Sequence, residues 1–216
     1  LGLPIVLKTV TGGYDGKGQF VLRSEDQIDT AWAELGPAKS LIAESFVKFS
    51  REVSIIAVRG QNGDVKTWAL AENHHHNGIL SHSIVPAPNS TDLQPVAQDY
   101  ITRLLNHLNY VGVLTLELFV TEQGLYANEM ACRVHNSGHW SIEGAICSQF
   151  ENHIRAVAGL PLGSTDVVRP TVMINIIGQH PKSEDVLALK GAHLHLYNKS
   201  ERAGRKLGHI TLMPNN

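Results

Sequence analysis

Residues 111–140 read VGVLTLELFVTEQGLYANEMACRVHNSGHW. Two apolar, β-rich runs, 111–120 and 124–130, flank Thr121-Glu122-Gln123-Gly124 and form the arms of a hairpin. If its turn centres on Gln123, antiparallel pairing sets Glu117 opposite Glu129. Facing carboxylates on neighbouring strands repel unless a cation lies between them. Hard divalent ions take such oxygens, and magnesium commonly shares them with phosphates. The alternative is a solvated pair on an exposed face, which the apolar setting of both strands disfavours. The residues that follow break every pattern. No apolar period runs through 128–140, a surface loop has no need of Trp140, and a core strand does not want Arg133 or His135.

The surrounding chain sets limits on the reading. Its 216 residues suit one large domain or one and a half small ones, and 43% hydrophobic content supplies an ordinary core. A net charge of −2 gives no pull towards nucleic acid or an anionic membrane. Cys132 and Cys147 supply neither a disulfide framework nor metal-ligand spacing, which fits a reducing, cytoplasmic setting. No apolar run reaches membrane-spanning length, and the start does not resemble a signal peptide. The opening LGLPIVLKTV enters at once on an interior-type strand without a methionine, so a longer parent chain is expected.

Working outward, residues 4–9 and 19–24 read as strands around a glycine-rich loop, and Ser24 with Gln27 gives a helix-start signal. Strands follow in 39–47, 52–60 and, after the Asn62-Gly63 turn, 64–73. Residues 92–109 space Val96 or Ala97, Ile101, Leu104, Leu105 and Leu108 at helical intervals. A second helix is expected to carry Phe150, Ile154, Val157 and Ala158 on one face. Strands return in 169–179, 192–200 and 205–213. The fold class is therefore α+β, with one unit over 1–160 and a small β-rich domain over 165–216.

Other stretches offer chemistry. In TGGYDGKGQ (11–19) the glycines bare backbone amides to anionic oxygens, and Lys8 points a cation the same way. No Ser or Thr follows Lys17, so this is not a Walker A loop; a plain hairpin loop is the rival reading. Glu44 and Glu52 stand at strand ends. His74, His75 and His76 alternate faces, which disfavours zinc and favours His75 as a single hydrogen-bonding residue. Lys199, Arg202, Arg205 and Lys206 form either a solvated basic face or a phosphate-anchoring loop.

The strings GGYDGKGQ, ESFVKFSREVS, GVLTLELFV, NEMACRVHNSGHWSIEGAICSQFENHIRA and GRKLGHITL, in this order, resemble the 5-(carboxyamino)imidazole ribonucleotide synthase family, ATP-grasp ligases of purine biosynthesis. The resemblance covers essentially the whole chain, and RVHNSGHW is its most specific run. It implies a partial ATP-grasp fold and ATP-dependent carboxylation of 5-aminoimidazole ribonucleotide by bicarbonate through carboxyphosphate. Implied cofactors are ATP and magnesium, with manganese as a substitute; the implied assembly is a homodimer of the full-length protein. By resemblance Lys8 and Gly13, Tyr14, Asp15, Gly16, Lys17, Gly18 and Gln19 bind ATP phosphates. Glu44, Ser45, Phe46 and Val47 read adenine, Glu52 holds the ribose, and His75 and Asn128 contact the nucleotide. Glu117 and Glu129 match the metal ligands. Asn128 can lie beside Glu129 only if a bulge or strand end interrupts the alternation. Arg133, His135, Asn136 and Ser137 ring the bicarbonate position, with Trp140 in support. Tyr14, Asp15, Arg133, His135, Lys199, Arg205 and Lys206 meet the imidazole nucleotide.

Cys132 stands where the family usually has proline. The resemblance begins inside the nucleotide-binding domain, so the 216 residues alone are expected to be inactive or nearly so. Rival readings are another ATP-grasp carboxylating or formylating ligase, and an inactive ATP-binding fragment.

Overall fold

A computed structural model describes residues 1–11, 17–36 and 40–214. The chain forms two compact units: Leu1–Lys48 with His75–Ile79, and Phe49–His74 with Leu80–Asn216.

The first unit is built on an antiparallel sheet in which β1 (Ile5–Thr9) lies between β2 (Gln19–Leu22) and β3 (Leu41–Ser45). The β1–β2 connection closes with Thr9 N–H donating to Gly18 O at 2.7 Å. Gly18 has φ +76°, a conformation that costs glycine little. A 3-10 turn, Glu25–Gln27, leads into α1 (Ile28–Leu35), which buries Ala31 and Leu35 and packs on β2 and β1. The expected cap differs in detail. Ser24 makes no side-chain cap bond, and the Gln27 carboxamide reaches one residue further, accepting from Arg23 N–H at 2.9 Å.

The second unit is organised by a long sheet. Its central pair is β4 (Arg51–Arg59) and β8 (Gly112–Thr121), antiparallel along their whole length. On one side of this pair lie β9 (Gly124–Ala131) and, on the other, β6 (Ala71–His76), β7 (Ile79–Val85), β10 (Thr171–Ile177), β12 (Lys206–Leu212) and β11 (Ala192–Leu196). A short β5 (Val65–Thr67) also pairs with β4. Period-two alternation sorts the side chains. Val53, Ile55, Ala57, Leu114, Leu116 and Leu118 join α2 (Leu93–His107) through Ala97, Ile101 and Leu105. Ala97, not the 40%-exposed Val96, heads that stripe. Ile56, Val58 and Val113 form the opposite core with Trp68, Trp140, Ala156 and Met173. Each such fully buried aliphatic contributes about 1.5–3 kcal/mol.

On α4 (Gln149–Val157) the apolar set is not the buried face, although Phe150 is half-buried. Ile154 and Val157 are exposed, whereas Gln149, Asn152 and Ala156 are buried. The polar pair goes inside because it satisfies loop backbone there. Asn152 accepts from Gly163 N–H at 2.8 Å and donates to Gly163 O at 3.3 Å. A short α3 (Ser141–Gly144) precedes α4, and α5 (Ser183–Leu187) lies between β10 and β11. The C-terminal strands share the large sheet, since Thr171 of β10 pairs with Val85 of β7. No helix among the described residues is long and apolar enough to cross a membrane.

Candidate active site

The β8–β9 hairpin delivers the expected acidic pair by an unexpected route. Thr121 pairs with Gly124, so the turn centres between Glu122 and Gln123. A regular ladder from that turn would set Asn128 opposite Glu117. Instead Leu118 pairs with Ala127 and Glu117 with Glu129, leaving Asn128 as the extra residue of a bulge. The bulge restores the Glu117–Glu129 pair and relieves the strict alternation that would separate Asn128 from Glu129. Glu117 also pairs with Ser54 across β4, and Glu52, further along the strand, brings a carboxylate oxygen within 4.8 Å of one on Glu117. Hard oxygen donors gathered this closely fit a divalent ion.

The chain then leaves β9 into the patternless residues 132–140. His135 Nε2 lies 3.0 Å from Glu117 Oε1, with both side chains largely buried. Residues Asn136–Gly138 form a 3-10 turn whose Ser137 N–H points at His135 Nδ1. Three devices fix this turn. The Gln149 carboxamide accepts from His135 N–H at 2.9 Å and donates to His135 O at 2.7 Å. Asn136 and Asn175 of β10 exchange amide hydrogen bonds at 2.9 and 2.7 Å. His139 Nδ1 lies 2.9 Å from the carbonyls of both His135 and Asn136. Burial pushes the His139 imidazole below its ordinary range, and those two carbonyls oppose the shift. A Cβ at Gly138 would stand 2.6 Å from Gln149 Oε1, so a larger residue there displaces the carboxamide that holds His135. Trp140 is buried in the core with Ile56, Val58 and Val113.

Arg133 is exposed and donates to Val134 O at 3.0 Å. Cys132 is exposed, and its carbonyl accepts from the Tyr110 hydroxyl at 2.8 Å. Burial raises the Tyr110 pKa.

In the first unit, Lys8 and Glu44 form an ion pair at 2.8 Å across the β1–β3 ladder. Ser45 ends β3, Phe46 lies under the Arg23 guanidinium at 5.3 Å, and Val47 follows outside any helix or strand. Lys17, Gly18 and Gln19 close the glycine loop; Gly13, Tyr14, Asp15 and Gly16 fall outside the described residues. His75 is exposed near the end of β6. Its neighbour His74 stacks on His82 at 4.4 Å.

The basic run occupies the β11–β12 connection. Arg205 donates to Ser200 Oγ at 3.0 Å, Lys199 lies 5.3 Å from the Tyr197 ring centroid, and Lys206 begins β12. Sequence reading did not find Gln149 or Asn175. Asn175 carried a signal, a lone amide inside the apolar strand β10, whereas Gln149 carried none, since it shares its buried face with Asn152.

A family model described as the ATP-grasp domain matches residues 1–150, and the phosphoribosylaminoimidazole carboxylase C-terminal domain matches residues 171–216. The N5-carboxyaminoimidazole ribonucleotide synthase of Pseudomonas aeruginosa is 53% identical over 212 residues, covering 98% of this chain and 58% of the relative. The Escherichia coli protein of that name is 43% identical over 215 residues, covering 98% and 59%. The chain thus spans little more than half the length of these relatives. The crystal structure of N5-carboxyaminoimidazole ribonucleotide synthetase from Thermus thermophilus aligns with a TM-score of 0.91 at 51% identity, over 100% of this chain and 58% of that one. The Aspergillus clavatus N5-carboxyaminoimidazole synthase, in complex with ADP and 5-aminoimidazole ribonucleotide, gives 0.91 at 32% identity, over 99% and 58%.

Proposed function

The chain belongs to the ATP-grasp family, and on that premise we propose that, within a protein of its relatives' length, it carboxylates 5-aminoimidazole ribonucleotide with bicarbonate, splitting ATP to ADP and phosphate. One observation carries the reading: Glu117 and Glu129 are register partners, and His135 of the following loop touches Glu117 at 3.0 Å. On this reading a divalent-ion site adjoins a polar turn whose donors suit carbonate.

Phosphoryl transfer is mostly positioning and charge neutralisation. Lys8 and residues 13–19 take the ATP phosphates, and Lys8 exchanges its Glu44 partner for them. Glu44 to Val47 read adenine, while Glu52, His75 and Asn128 complete the nucleotide contacts. Glu117 and Glu129 hold magnesium, which when bound offsets the phosphate charge and polarises the transferred group. A bicarbonate oxygen attacks the γ-phosphorus, and the bond to ADP breaks, giving carboxyphosphate. Its C–O bond to phosphate then breaks and releases carbon dioxide. The exocyclic amine adds to that carbon and loses a proton, giving the carbamate. Arg133, His135, Asn136 and Ser137 orient bicarbonate, Arg133 supplying charge and the others hydrogen bonds. Tyr14 and Asp15, with Arg133 and His135, meet the imidazole, and Lys199, Arg205 and Lys206 take its ribose phosphate. The carboxylated intermediate reacts with water, so the glycine loop must cover it.

A domain boundary within 160–165 is part of this reading, supported by family matches that end at 150 and resume at 171. A cytoplasmic location and a homodimer of the full-length protein are also part of it, on the strength of the sequence resemblance.

The test is magnesium-dependent ATP binding by the 216-residue chain, followed by turnover in a chain of the relatives' length. Turnover is compared for 5-aminoimidazole ribonucleotide, glycinamide ribonucleotide and biotin. Glu129→Gln is expected to weaken magnesium-dependent ATP binding by about tenfold or more, as loss of one charged ligand implies. ATP binding indifferent to both magnesium and Glu129→Gln would sink the reading. So would bicarbonate-dependent ADP release with biotin or glycinamide ribonucleotide in preference to the imidazole nucleotide.

A further inference from the structure

A stripe of buried polar side chains crosses the large sheet at right angles to its strands, on the face that carries Glu117. Ser83 of β7, Asn73 of β6, Ser54 of β4 and Ser137 of the loop are at most 5% exposed. They stand hand to hand. Ser83 Oγ donates to Asn73 Oδ1 at 2.8 Å, and Asn73 Nδ2 donates to Ser54 Oγ at 3.0 Å. Ser54 Oγ meets Ser137 Oγ at 2.8 Å, and Ser137 Oγ meets His135 Nδ1 at 2.9 Å. The last link is His135 Nε2 to Glu117 Oε1 at 3.0 Å.

The direction of such a chain is fixed by its ends. At the Glu117 end a carboxylate can only accept, so Nε2 must carry the proton. At the other ring nitrogen, Ser137 N–H points at Nδ1 from 3.4 Å, and a backbone N–H can only donate. Nδ1 is therefore the acceptor, and its one lone pair takes the shorter bond from the Ser137 hydroxyl at 2.9 Å. Ser137 Oγ then receives from Ser54, Ser54 Oγ receives from the Asn73 amide, and Asn73 Oδ1 receives from Ser83. Every donor finds an acceptor in one sense only. Turning the Asn73 amide over would reverse each hydroxyl and bring a bare Nε2 lone pair against a carboxylate. Buried polar side chains are retained at a cost unless each is satisfied, and this row is satisfied only as a directed set.

The geometry points to Ser83, Asn73, Ser54 and Ser137 as a directional hydrogen-bond chain that sets His135 with Nδ1 accepting and Nε2–H donating, and thereby aims the Glu117 carboxylate. Asn73 and Ser54 are positioning residues of the site, acting through His135 across two strands. That Glu117 serves a cation rests on the function proposed above; the tautomer does not.

The experiment is a long-range proton–nitrogen correlation spectrum of the whole chain labelled with 15N-histidine, at a pH above the imidazole range and without metal or nucleotide. His135 is assigned by the peaks lost in His135→Gln. The wild type is expected to show the Nε2-protonated pattern at His135. Asn73→Asp replaces the amide donor facing Ser54 with an acceptor. The Ser54 and Ser137 hydroxyls then turn round, and the Nδ1–H fraction at His135 rises about tenfold, the worth of one reversed hydrogen bond. Ser54→Ala breaks the row with a smaller change in volume and is expected to raise that fraction several-fold. Unchanged His139 and His153 peaks show that the fold is intact. A wild-type His135 with the proton on Nδ1 overturns the proposal, and this outcome needs no variant. A ratio that neither substitution moves overturns it equally. Loss of ATP binding in the wild type, with the tautomer still responding, would sink the proposed function and support the chain of bonds.

Discussion

Gln149 is fully buried, and its role is to hold backbone. Its carboxamide does for the His135 backbone what a neighbouring strand would do, supplying one acceptor and one donor. Gln149→Leu keeps the volume and strips both partners from a largely buried peptide. It is expected to cost about 2–4 kcal/mol, since each stranded polar group costs about 1–3 kcal/mol. Urea denaturation of the variant checks this. Legibility at this scale follows from how a residue's partners are encoded. Glu117 and Glu129 could be found because they sit on one hairpin and their charges conflict without a cation. Gln149 could not, because its partners are backbone atoms fourteen residues away that only the folded turn brings near. Arg133 and His135 were conspicuous as polar residues without a pattern, and the structure sets His135 against Glu117 of β8.

Helix starts show how the same local signal diverges once the chain is folded. Ser148 caps α4, its Oγ accepting from Glu151 N–H at 3.1 Å, whereas Ser24 makes no cap bond to the turn before α1. Ser148→Ala should therefore lower stability by about 1 kcal/mol, and Ser24→Ala should fall within about 0.5 kcal/mol of wild type. Paired urea midpoints distinguish them; equal losses would contradict the geometry. Strand positions were readable from alternation, and α2 from its period. The inward face of α4 was not, because Gln149 and Asn152 outcompete Ile154 and Val157 by satisfying loop backbone. The hairpin is the subtler case. Counting from a presumed turn at Gln123 reached the correct facing pair, although the turn lies elsewhere and the bulge at Asn128 makes up the difference. Turn type and bulge both depend on backbone conformation that residue names leave open.

Across the whole second unit, the C-terminal strands carry a device that ties stability to pH. His209 of β12 is 1% exposed, stacked on His195 at 4.4 Å and edge-on to His139 at 5.0 Å, with the Tyr197 hydroxyl 2.7 Å from its Nδ1. Burial first, then the nearby imidazoles, hold its pKa down at about 3, and burial raises Tyr197 to about 12. In the unfolded chain the same imidazole titrates near the ordinary histidine value of 6.5. Between those two values the unfolded state binds the extra proton, so folding stability falls as pH falls. The full contribution is present above the unfolded value, and the loss stops growing below the folded one. The slope approaches about 1.4 kcal/mol per pH unit for one proton. His139, also lowered by burial, adds in the same direction. His209→Gln removes the titrating ring and leaves an acceptor for Tyr197. Urea unfolding measured from neutral pH down to about 5, above the main carboxylate range, should show a wild-type slope that this variant reduces by close to one proton. A slope the substitution leaves unchanged would mean that His209 takes up its proton in the folded protein as readily as in the unfolded chain, contrary to its burial among two imidazoles and a phenol.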